Sequence, residues 1–436
     1  MIEIFSNKQD KSVAFFPRSL RMFQINNEMK SLIKLINQGK SSEYICSKLT
    51  ISKEEYSKLK KTLTDYNTSP KIDPRRIIPE NVLKRLSINI SNDCNMRCDY
   101  CYASFGCYGD KSNLMDISMI KLTLDKFYSL YDEIAILQVF GGEPFLNYEG
   151  FKFICEYIHE KYQKGEINFL TQINTVSNGT IMTKKIIRLI KDFKINVTIS
   201  LDGPKKIHDT NRPFINEQGT FDTIFKNIKK LKKETNQPSQ IEVTYNQQHI
   251  ENDYSVIQLI EYFDQYFKDI SLHIAPVSGN KEECFVLKDR QTFIDSVEPL
   301  IAKGRKSSYI ILDDMLDSLH HPMERDNYCD AGTDLISVSS KGDIYPCYMF
   351  IGEKNFSVMN IQDDNFSKET LLKKLQKYKN YSRTTDQNTY CGTCFAVNAC
   401  TGCIGLNYYN TGDIHRPSKD DCSMRREMLK KIILNV

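Results

Sequence analysis

The sequence predicts an α/β protein whose body is a parallel sheet with helical crossovers, preceded by a small module and followed by a cysteine-rich region. Six apolar segments alternate with amphipathic helical segments between about residues 84 and 280. Three of the fourteen cysteines lie near position 98, and seven lie between Cys329 and Cys422. We predict four segments: a module at 1–70, a linker at 71–83, the α/β body at 84–309 and the cysteine-rich region at 310–436.

The first segment has the pattern of a compact module of strands and helices. Val13–Phe16 and Arg21–Ile25 are predicted to be short strands. Helices are predicted to begin after Asn26, after Ser41-Ser42 and after Ser52, where polar side chains precede apolar residues at helical spacing.

The body is predicted to contain six β–α units, curled into a partial barrel or forming an open sheet. One helix is predicted to begin at Asp116 and another at Thr220. Ligands of parallel sheets bind at the carboxyl ends of the strands, so the residues after each strand are the candidates for function. The predicted strands are Leu86–Ser91, Ile134–Phe140, Phe169–Val176, Val197–Leu201, Ile241–Tyr245 and Ile270–Pro276. The first helix is predicted to bury Ile117, Ile120, Leu124, Phe127 and Tyr131.

Composition argues against several classes of protein. A net charge of +4 is slight for 436 residues and is not typical of a nucleic-acid or membrane-surface protein. The first residues are too polar for a signal peptide, and no apolar run reaches the length of a membrane span. We therefore expect a cytoplasmic protein, in which so many reduced thiols indicate metal or redox chemistry.

The first cysteine group follows directly after the first predicted strand of the body. Cys94, Cys98 and Cys101 have the spacing C-x3-C-x2-C. Three thiolates on one loop can bind three irons of a [4Fe–4S] cluster and leave the fourth iron without a protein ligand. The alternative is a zinc loop, but zinc prefers C-x2-C pairs and four ligands.

This loop, with Tyr100 before its last cysteine, resembles the signature of radical S-adenosylmethionine (SAM) enzymes. The resemblance implies a partial (β/α)6 barrel. It also implies that the open iron binds SAM, that SAM is cleaved to a 5′-deoxyadenosyl radical, and that Cys94, Cys98 and Cys101 are the catalytic ligands.

Residues after the next three strands also resemble this family. Gly141-Gly142-Glu143-Pro144 resembles its GGEP motif, in which the carboxylate holds the SAM ammonium. By the same resemblance Asn178 lies near the ribose, and the segment with Ser200, Asp202, His208-Asp209 and Arg212 contacts the ribose and the SAM carboxylate. Taken singly, Asn178-Gly179 and Asp202-Gly203 could be plain turns.

The second cysteine group resembles the SPASM extension of radical SAM enzymes that modify peptides. The resemblance assigns Cys391, Cys394, Cys400 and Cys422 to an outer [4Fe–4S] cluster and Cys329, Cys347 and Cys403 to an inner one, three clusters in all. Two departures place the inner cluster's fourth ligand in doubt: no cysteine lies just upstream of Cys329, and only two residues separate Cys400 from Cys403.

The remaining thiols have simpler interpretations. Cys155 and Cys46 lie on helices and are predicted to be structural. Cys107 and Cys284 are either loop thiols or further ligands of the inner cluster. His273, on a strand, is predicted to be a core histidine.

Residues 1–70 resemble the small winged-helix (PqqD-like) module that binds leader peptides, with Phe15–Ile25 as the sheet edge that the leader would extend. A DNA-binding module has a similar outline, but the acidic residues Glu28, Glu43, Glu54 and Glu55 interrupt its basic face. The segment Cys101–Gly109 resembles maturases that form thioether crosslinks, such as ranthipeptide and sactipeptide enzymes.

These resemblances predict an enzyme that joins core cysteines of a ribosomally made precursor peptide to carbon. Its expected partners are that peptide and an electron donor such as flavodoxin or ferredoxin, with no nucleic acid and no membrane. The alternatives are a maturase that forms carbon–carbon crosslinks, a sulfatase-maturing type of enzyme and a DNA-binding redox sensor. A sensor has no need of the GGEP or ribose segments.

Overall fold

The computed structural model describes residues 1–7, 9–68, 79–279, 282–303, 309–323, 326–379, 382–383 and 390–436. Most of the predicted linker lies outside these ranges. In the part of the chain described, no helix is both long and apolar enough to cross a membrane.

The N-terminal module is a three-stranded antiparallel sheet, in the order β1-β2-β3, followed by three helices. The two predicted strands and the three predicted helix starts are confirmed. The first strand was not predicted, because four residues are too few to establish an alternating pattern. The elements are β1 Glu3–Ser6, β2 Ser12–Phe16, β3 Arg21–Ile25, α1 Asn27–Asn37, α2 Ser42–Leu49 and α3 Lys53–Tyr66.

Strand β2 is buried on both faces, which explains its uninterrupted apolar run. Ala14 and Phe16 pack against the three helices of the module. Phe15 packs on the opposite face against residues of the C-terminal region. There Phe5 lies 5.3 Å from Phe395, between ring centroids. The module is therefore packed against the cysteine-rich region.

The body confirms the six predicted β–α units, with six consecutive parallel strands in chain order. Its strands are β4 Val82–Ser91, β5 Glu133–Gly141, β6 Gln172–Ser177, β7 Asn196–Ser200, β8 Gln240–Tyr245 and β9 Ser271–Pro276. Its helices are α4 Ile117–Leu130, α5 Tyr148–Gln163, α6 Lys184–Asp192, α7 Lys205–Asn211, α8 Phe221–Thr235, α9 Gln247–Glu251 and α10 Val256–Phe267.

Two expectations about the body are wrong in detail. The third strand begins at Gln172, and Phe169 and Leu170 before it are 60% and 44% exposed. Ile117 is 45% exposed, whereas Ile120 and Leu124 are fully buried. Ile117 is the first residue of α4, so no preceding helical turn covers its side chain, which is why it is exposed.

The C-terminal region extends the sheet of the body, which the sequence analysis did not predict. Strand β10 pairs in parallel with β4, so the sheet runs β12-β11-β10-β4-β5-β6-β7-β8-β9. Strands of two to four residues carry too little periodicity to be predicted. The elements are α11 Gln291–Asp295, α12 Val297–Ala302, α13 Ile310–His320, β10 Leu335–Val338, β11 Asp343–Tyr345, β12 Met359–Asn360, α14 Lys368–Lys379, α15 Ile404–Thr411 and α16 Lys419–Asn435.

Candidate active site

The loop after β4 brings the three thiols of the first cysteine group together. The pKa of Cys94 is raised to about 11, mainly by burial and also by the charges of Glu143 and Cys101, against hydrogen bonds from Met96 and Asn178. The pKa of Cys98 is raised to about 12, mainly by burial and also by Cys101 and Cys94, against the charge of Arg212. Cys94 and Cys98 therefore need a nearby positive charge to ionise, and bound iron would supply it.

The two glycines after β5 lie directly against this loop. A Cβ on Gly141 would lie 2.5 Å from the carbonyl oxygen of Ser91, and one on Gly142 would lie 2.4 Å from that of Asp93. Gly106, beyond the cysteine loop, would meet Cys94 and Gly142 at 2.7 and 2.8 Å in the same way. Only glycines permit this close packing of three backbone segments.

Glu143 is fully buried at the end of β5 and joins it to β6. Its carboxylate accepts hydrogen bonds from the backbone N–H groups of Phe145 (3.1 Å) and Asn178 (2.7 Å) and from the hydroxyl of Ser177 (3.0 Å). Burial nevertheless raises its pKa to about 7, because these donors and Arg212 offset burial only in part. An ionised carboxylate has about four acceptor positions, and the single hydroxyl proton of Ser177 is shared between both oxygens (3.0 and 3.2 Å), so one position is only partly occupied and is the one that a ligand would take.

Asn178 ties the end of β6 to the cysteine loop. Its Nδ2 donates to Asn95 Oδ1 (2.8 Å) and lies 3.7 Å from the sulfur of Cys94. Its Oδ1 accepts from the backbone and hydroxyl of Thr180. The side chain thus positions the loop as well as forming a turn.

A buried network joins the loop to the end of β7. Tyr100 donates to Asp202 Oδ2 (2.6 Å), and Arg212 Nη1 donates to Tyr100 (2.8 Å). Among the described residues, Arg212 Nε and Asn211 Nδ2 are buried polar atoms without a hydrogen-bond partner. Such atoms are rare and point to a polar ligand. Ser200 is half-buried and is the last residue of β7, two residues before Asp202.

His208 and Asp209 support this network. The Nδ1 of His208 accepts from the Asp202 backbone (3.1 Å), and its Nε2 lies 2.9 Å from the Thr220 hydroxyl. Burial, reinforced by Arg212, lowers the pKa of His208 well below its usual value, so the ring is neutral. Asp209 accepts from the backbone of Phe221 at the start of α8. Both side chains bond within the chain and orient the residues around them.

The seven C-terminal thiols form two groups. In one, the pKa of Cys329 is raised to about 11 and that of Cys347 is raised as well, in both cases mainly by burial and also by Cys403. In the other, the pKa of Cys422 is raised to about 12, mainly by burial and also by Cys400, Cys391 and Cys394. These electrostatic neighbours are the inner and outer sets given in the sequence analysis.

Two residues that the sequence analysis did not identify support the outer group. Arg383 is 1% exposed and donates to the backbone carbonyls of Cys400 (3.0 Å) and Val397 (2.6 Å). Tyr328 Oη lies 3.1 Å from the sulfur of Cys391. No motif marks either residue, because Arg383 bonds to backbone carbonyls and Tyr328 lies 63 positions from Cys391.

The segment after the first cysteine loop lies between that loop and the C-terminal region. Ser104, Phe105 and Tyr108 adopt positive φ angles of 49°, 60° and 54°. Non-glycine residues in this conformation cost energy, and they cluster at functional sites. Tyr102 packs on Tyr409 of α15 with ring centroids 5.8 Å apart.

The four remaining cysteines and His273 belong to none of the three thiol groups. Cys155 is fully buried in the core, and Cys46 packs inside the N-terminal module. Cys107 donates to the carbonyl of Ser104, and Cys284 is exposed. His273 is not a core histidine: its side chain is 34% exposed and faces Glu242.

Residues 88–262 match the radical SAM superfamily. An uncharacterized protein of Methanocaldococcus jannaschii is 31% identical over 65% of this chain and 90% of its own length. A cysteine-type anaerobic sulfatase-maturating enzyme of Clostridium novyi is 27% identical, over 65% of this chain and 79% of its own. The radical SAM cyclopropyl synthase TigE of Paramaledivibacter caminithermalis is 22% identical, over 85% and 78%.

Two solved structures share the fold. The enzyme anSMEcpe with bound AdoMet (SAM) superposes with a TM-score of 0.66 at 19% identity, over 80% of this chain and 98% of its own. SuiB of Streptococcus suis, bound to its precursor peptide SuiA, superposes with a TM-score of 0.53 at 14% identity, over 97% and 100%. The chain belongs to the radical SAM superfamily and is an enzyme.

The site fits the cofactors that this family implies. Cys94, Cys98 and Cys101 would hold a [4Fe–4S] cluster, and the partly occupied acceptor position of Glu143 and the unpaired Nε of Arg212 would hold the ammonium and an oxygen of SAM. When bound, cluster and SAM supply the reductive cleavage that starts hydrogen abstraction. The chain contributes orientation and exclusion of water.

Glu143→Gln should weaken SAM binding by about 1.5–3 kcal/mol, because a charged hydrogen bond is lost. In the wild type a carboxyl with a pKa of about 7 is largely protonated at pH 6 and must ionise to bind an ammonium. SAM affinity should therefore rise several-fold between about pH 6 and 7.5. Calorimetry on reconstituted protein would measure both effects. Equal affinity and equal pH dependence in the two proteins would contradict this role.

Proposed function

We propose that this enzyme modifies a ribosomally made precursor peptide by joining core cysteine sulfurs to carbon as thioethers. The observation that carries the proposal is the inner group of Cys329, Cys347 and Cys403, placed beside the body with three thiols where a cubane has four irons. A fourth iron without a protein thiolate is a natural ligation site for a peptide cysteine. Ligation would keep that thiol deprotonated and fixed.

The surroundings of the inner group support an open iron. The sulfur of Met349 lies 3.7 Å from that of Cys403, and thioethers are far weaker ligands than thiolates. Cys107 and Cys284 are the two cysteines considered as a fourth ligand of the inner cluster. The thiol of Cys107 instead donates to the carbonyl of Ser104 in its own turn, and Cys284 is exposed.

The N-terminal module supports a peptide substrate. Strand β3 pairs with β2 on one side only among the described residues, so its other edge could accept a further strand. Phe23 beside this edge is 41% exposed and stacks on Tyr66 at 4.9 Å, with Arg21 over the same ring. SuiB, which shares the fold over nearly the whole chain, is itself bound to a precursor peptide.

Two other reactions have support among the relatives. The sulfatase-maturating enzyme matches 65% of this chain and the cyclopropyl synthase matches 85%. Co-expression with a short cysteine-containing peptide encoded beside the gene separates them. Formation of a thioether lowers the peptide mass by two hydrogens and protects the cysteine from alkylating reagents. A carbon–carbon crosslink leaves the cysteine free to react with them. A peptide that keeps its mass would contradict all peptide-crosslinking proposals.

The combined substitution Arg21→Glu and Phe23→Ala should lower modification of the leader-bearing peptide by about tenfold or more, through loss of tethering. Uncoupled cleavage of SAM should stay unchanged. Lys48→Glu, on an exposed face of α2, is the control with the same charge change. Mass spectrometry of the peptide gives the measurement. Modification at the wild-type rate would place leader recognition elsewhere, and tight duplex DNA binding by the full-length protein would favour the redox sensor.

A further inference from the structure

The barrel interior carries a pair of titratable side chains that the SAM site does not use. Glu242 on β8 and His273 on β9 are direct partners in the sheet register, with His273 Nδ1 3.5 Å from Glu242 Oε1. Their neighbours Ile241 and Leu272 are buried in the core, whereas the two side chains are 36% and 34% exposed. Because side chains alternate along a strand, the pair faces the interior of the barrel.

This pair lies next to the residues proposed for SAM. Glu242 is the register partner of Ser200 on β7, and its carbonyl oxygen accepts from the backbone of Leu201. Asp202 follows immediately and accepts from the backbone of Thr244 on β8. The carboxylate is therefore one strand away from the SAM contacts and just below the ends of the strands.

The inner thiol group approaches the same space from the other side. Tyr348 follows Cys347 and packs on Phe140 of β5 with ring centroids 4.6 Å apart. Burial raises the pKa of Tyr348 well above its usual value; Cys347 and Glu242 add to the rise and Arg85 opposes it. Tyr348 adjoins Cys347 in the chain and also feels the charge of Glu242, so it is a shared neighbour of the inner thiol group and the pair.

The charges around His273 favour a shared proton. Burial alone would lower its pKa, but the hydrogen bond and charge of Glu242 and the charge of Asp314 on α13 outweigh it, so the pKa is raised above 6.5. Tyr348 also feels the charge of Glu242, and Arg85 is the positive charge that acts on Tyr348. An imidazole and a carboxylate in contact can receive a proton near neutral pH.

We propose that Glu242, held by His273, accepts the proton that the peptide loses while it is modified. The inference rests on the proposed function. For each thioether the peptide would give a proton from the thiol to Glu242 as the thiolate binds the inner cluster, a hydrogen atom from carbon to the 5′-deoxyadenosyl radical, which becomes 5′-deoxyadenosine, and one electron to an auxiliary [4Fe–4S] cluster as the sulfur–carbon bond forms. Atoms and electrons balance with no other oxidant.

The test uses the reconstituted full-length enzyme and a cysteine-containing precursor peptide that the wild-type enzyme modifies, made with deuterated amino acids. Glu242→Gln should lower crosslinked product by about a hundredfold or more. Deuterium transfer to 5′-deoxyadenosine should fall only a few-fold, because hydrogen abstraction from carbon needs the bound peptide but not the ligated thiolate. Glu242→Asp should restore part of the product. Glu261→Gln, which breaks a surface ion pair with Lys303, is the matched control and should leave both unchanged.

Two further readouts separate proton transfer from a structural role. His273→Gln should move the acid limb of product formation to lower pH, because carboxyls ordinarily titrate below imidazoles. In histidine-labelled enzyme without reductant, Glu242→Gln should lower the pKa of His273 observed by NMR, since the carboxylate that favours the imidazolium is gone.

The outcomes distinguish the inference from the function on which it rests. Wild-type product that contains no thioether contradicts the proposed function. Wild-type modification together with an active Glu242→Gln variant overturns the proton acceptor alone. Equal loss of deuterium transfer and product in that variant also overturns it, because the residue would then only position the substrate.

Discussion

Replacing Cys94, Cys98 and Cys101 together by Ala should reduce SAM cleavage to the level of a protein-free control. The protein should keep two clusters, so its iron content should fall from about twelve to about eight per chain. The reason is that these thiols form one group, separate from the two C-terminal groups. Iron analysis and chromatography of 5′-deoxyadenosine would measure both effects.

Cys155→Ala is the matched control for this variant. Its thiol is fully buried in α5 and packs in the core of the body. It should cost about 1 kcal/mol of folding stability and leave iron and SAM cleavage unchanged. If the triple variant retained SAM cleavage, or lost all of its iron, the assignment of the first group would be wrong.

Cys347→Ala should abolish crosslinking while leaving SAM cleavage in place. Cys347 is fully buried and couples electrostatically to Cys403 and Cys329, so its loss removes a ligand from the inner group alone. Peptide mass and 5′-deoxyadenosine, measured in the same reaction, separate the two activities. Crosslinking by this variant would show that the inner group is not needed for bond formation.

The variant that lacks the first cluster also allows spectroscopy of the two C-terminal clusters without a signal from the first. In the protein lacking the first cluster, adding the cysteine-containing peptide should change the spectrum of the inner cluster, because a thiolate joins its open iron. A serine analogue of the peptide should not. An inner cluster with four protein ligands, insensitive to the peptide, would contradict ligation of the substrate.

The SAM side of the site could be predicted from sequence because its residues follow consecutive parallel strands. Parallel strands end at one edge of the sheet, so chain order alone brings Glu143, Asn178 and Asp202 together. The role of Gly141 and Gly142 could also be predicted, because backbone segments that pack this closely leave no room for a Cβ atom.

Three other features depend on tertiary contacts that sequence periodicity cannot predict. Arg383 holds a loop through backbone carbonyls, and any residue type can supply a carbonyl. His273 alternates with the buried residues Leu272 and Ile274, a pattern that fits either face of a strand, and only the folded structure shows that its side chain is 34% exposed. The pairing of β10 with β4 joins residues about 250 positions apart, a distance over which local patterns give no information.

The docking of the N-terminal module also changes how its function is best tested. Phe5 and Phe15 cover apolar residues of the C-terminal region, among them Leu429 and Ile433. Deleting residues 1–70 would expose that surface and destabilise the protein, so point substitutions on β3 give a cleaner answer.

The most direct test of the central claim is the metal content and SAM chemistry of the wild-type enzyme isolated without oxygen. We expect iron and sulfide for close to three [4Fe–4S] clusters, and 5′-deoxyadenosine on addition of SAM and a strong reductant. The spectrum of one reduced cluster should change when SAM binds, since Cys94, Cys98 and Cys101 leave one iron open. Zinc without iron, or iron–sulfur clusters that neither respond to SAM nor cleave it, would contradict the account.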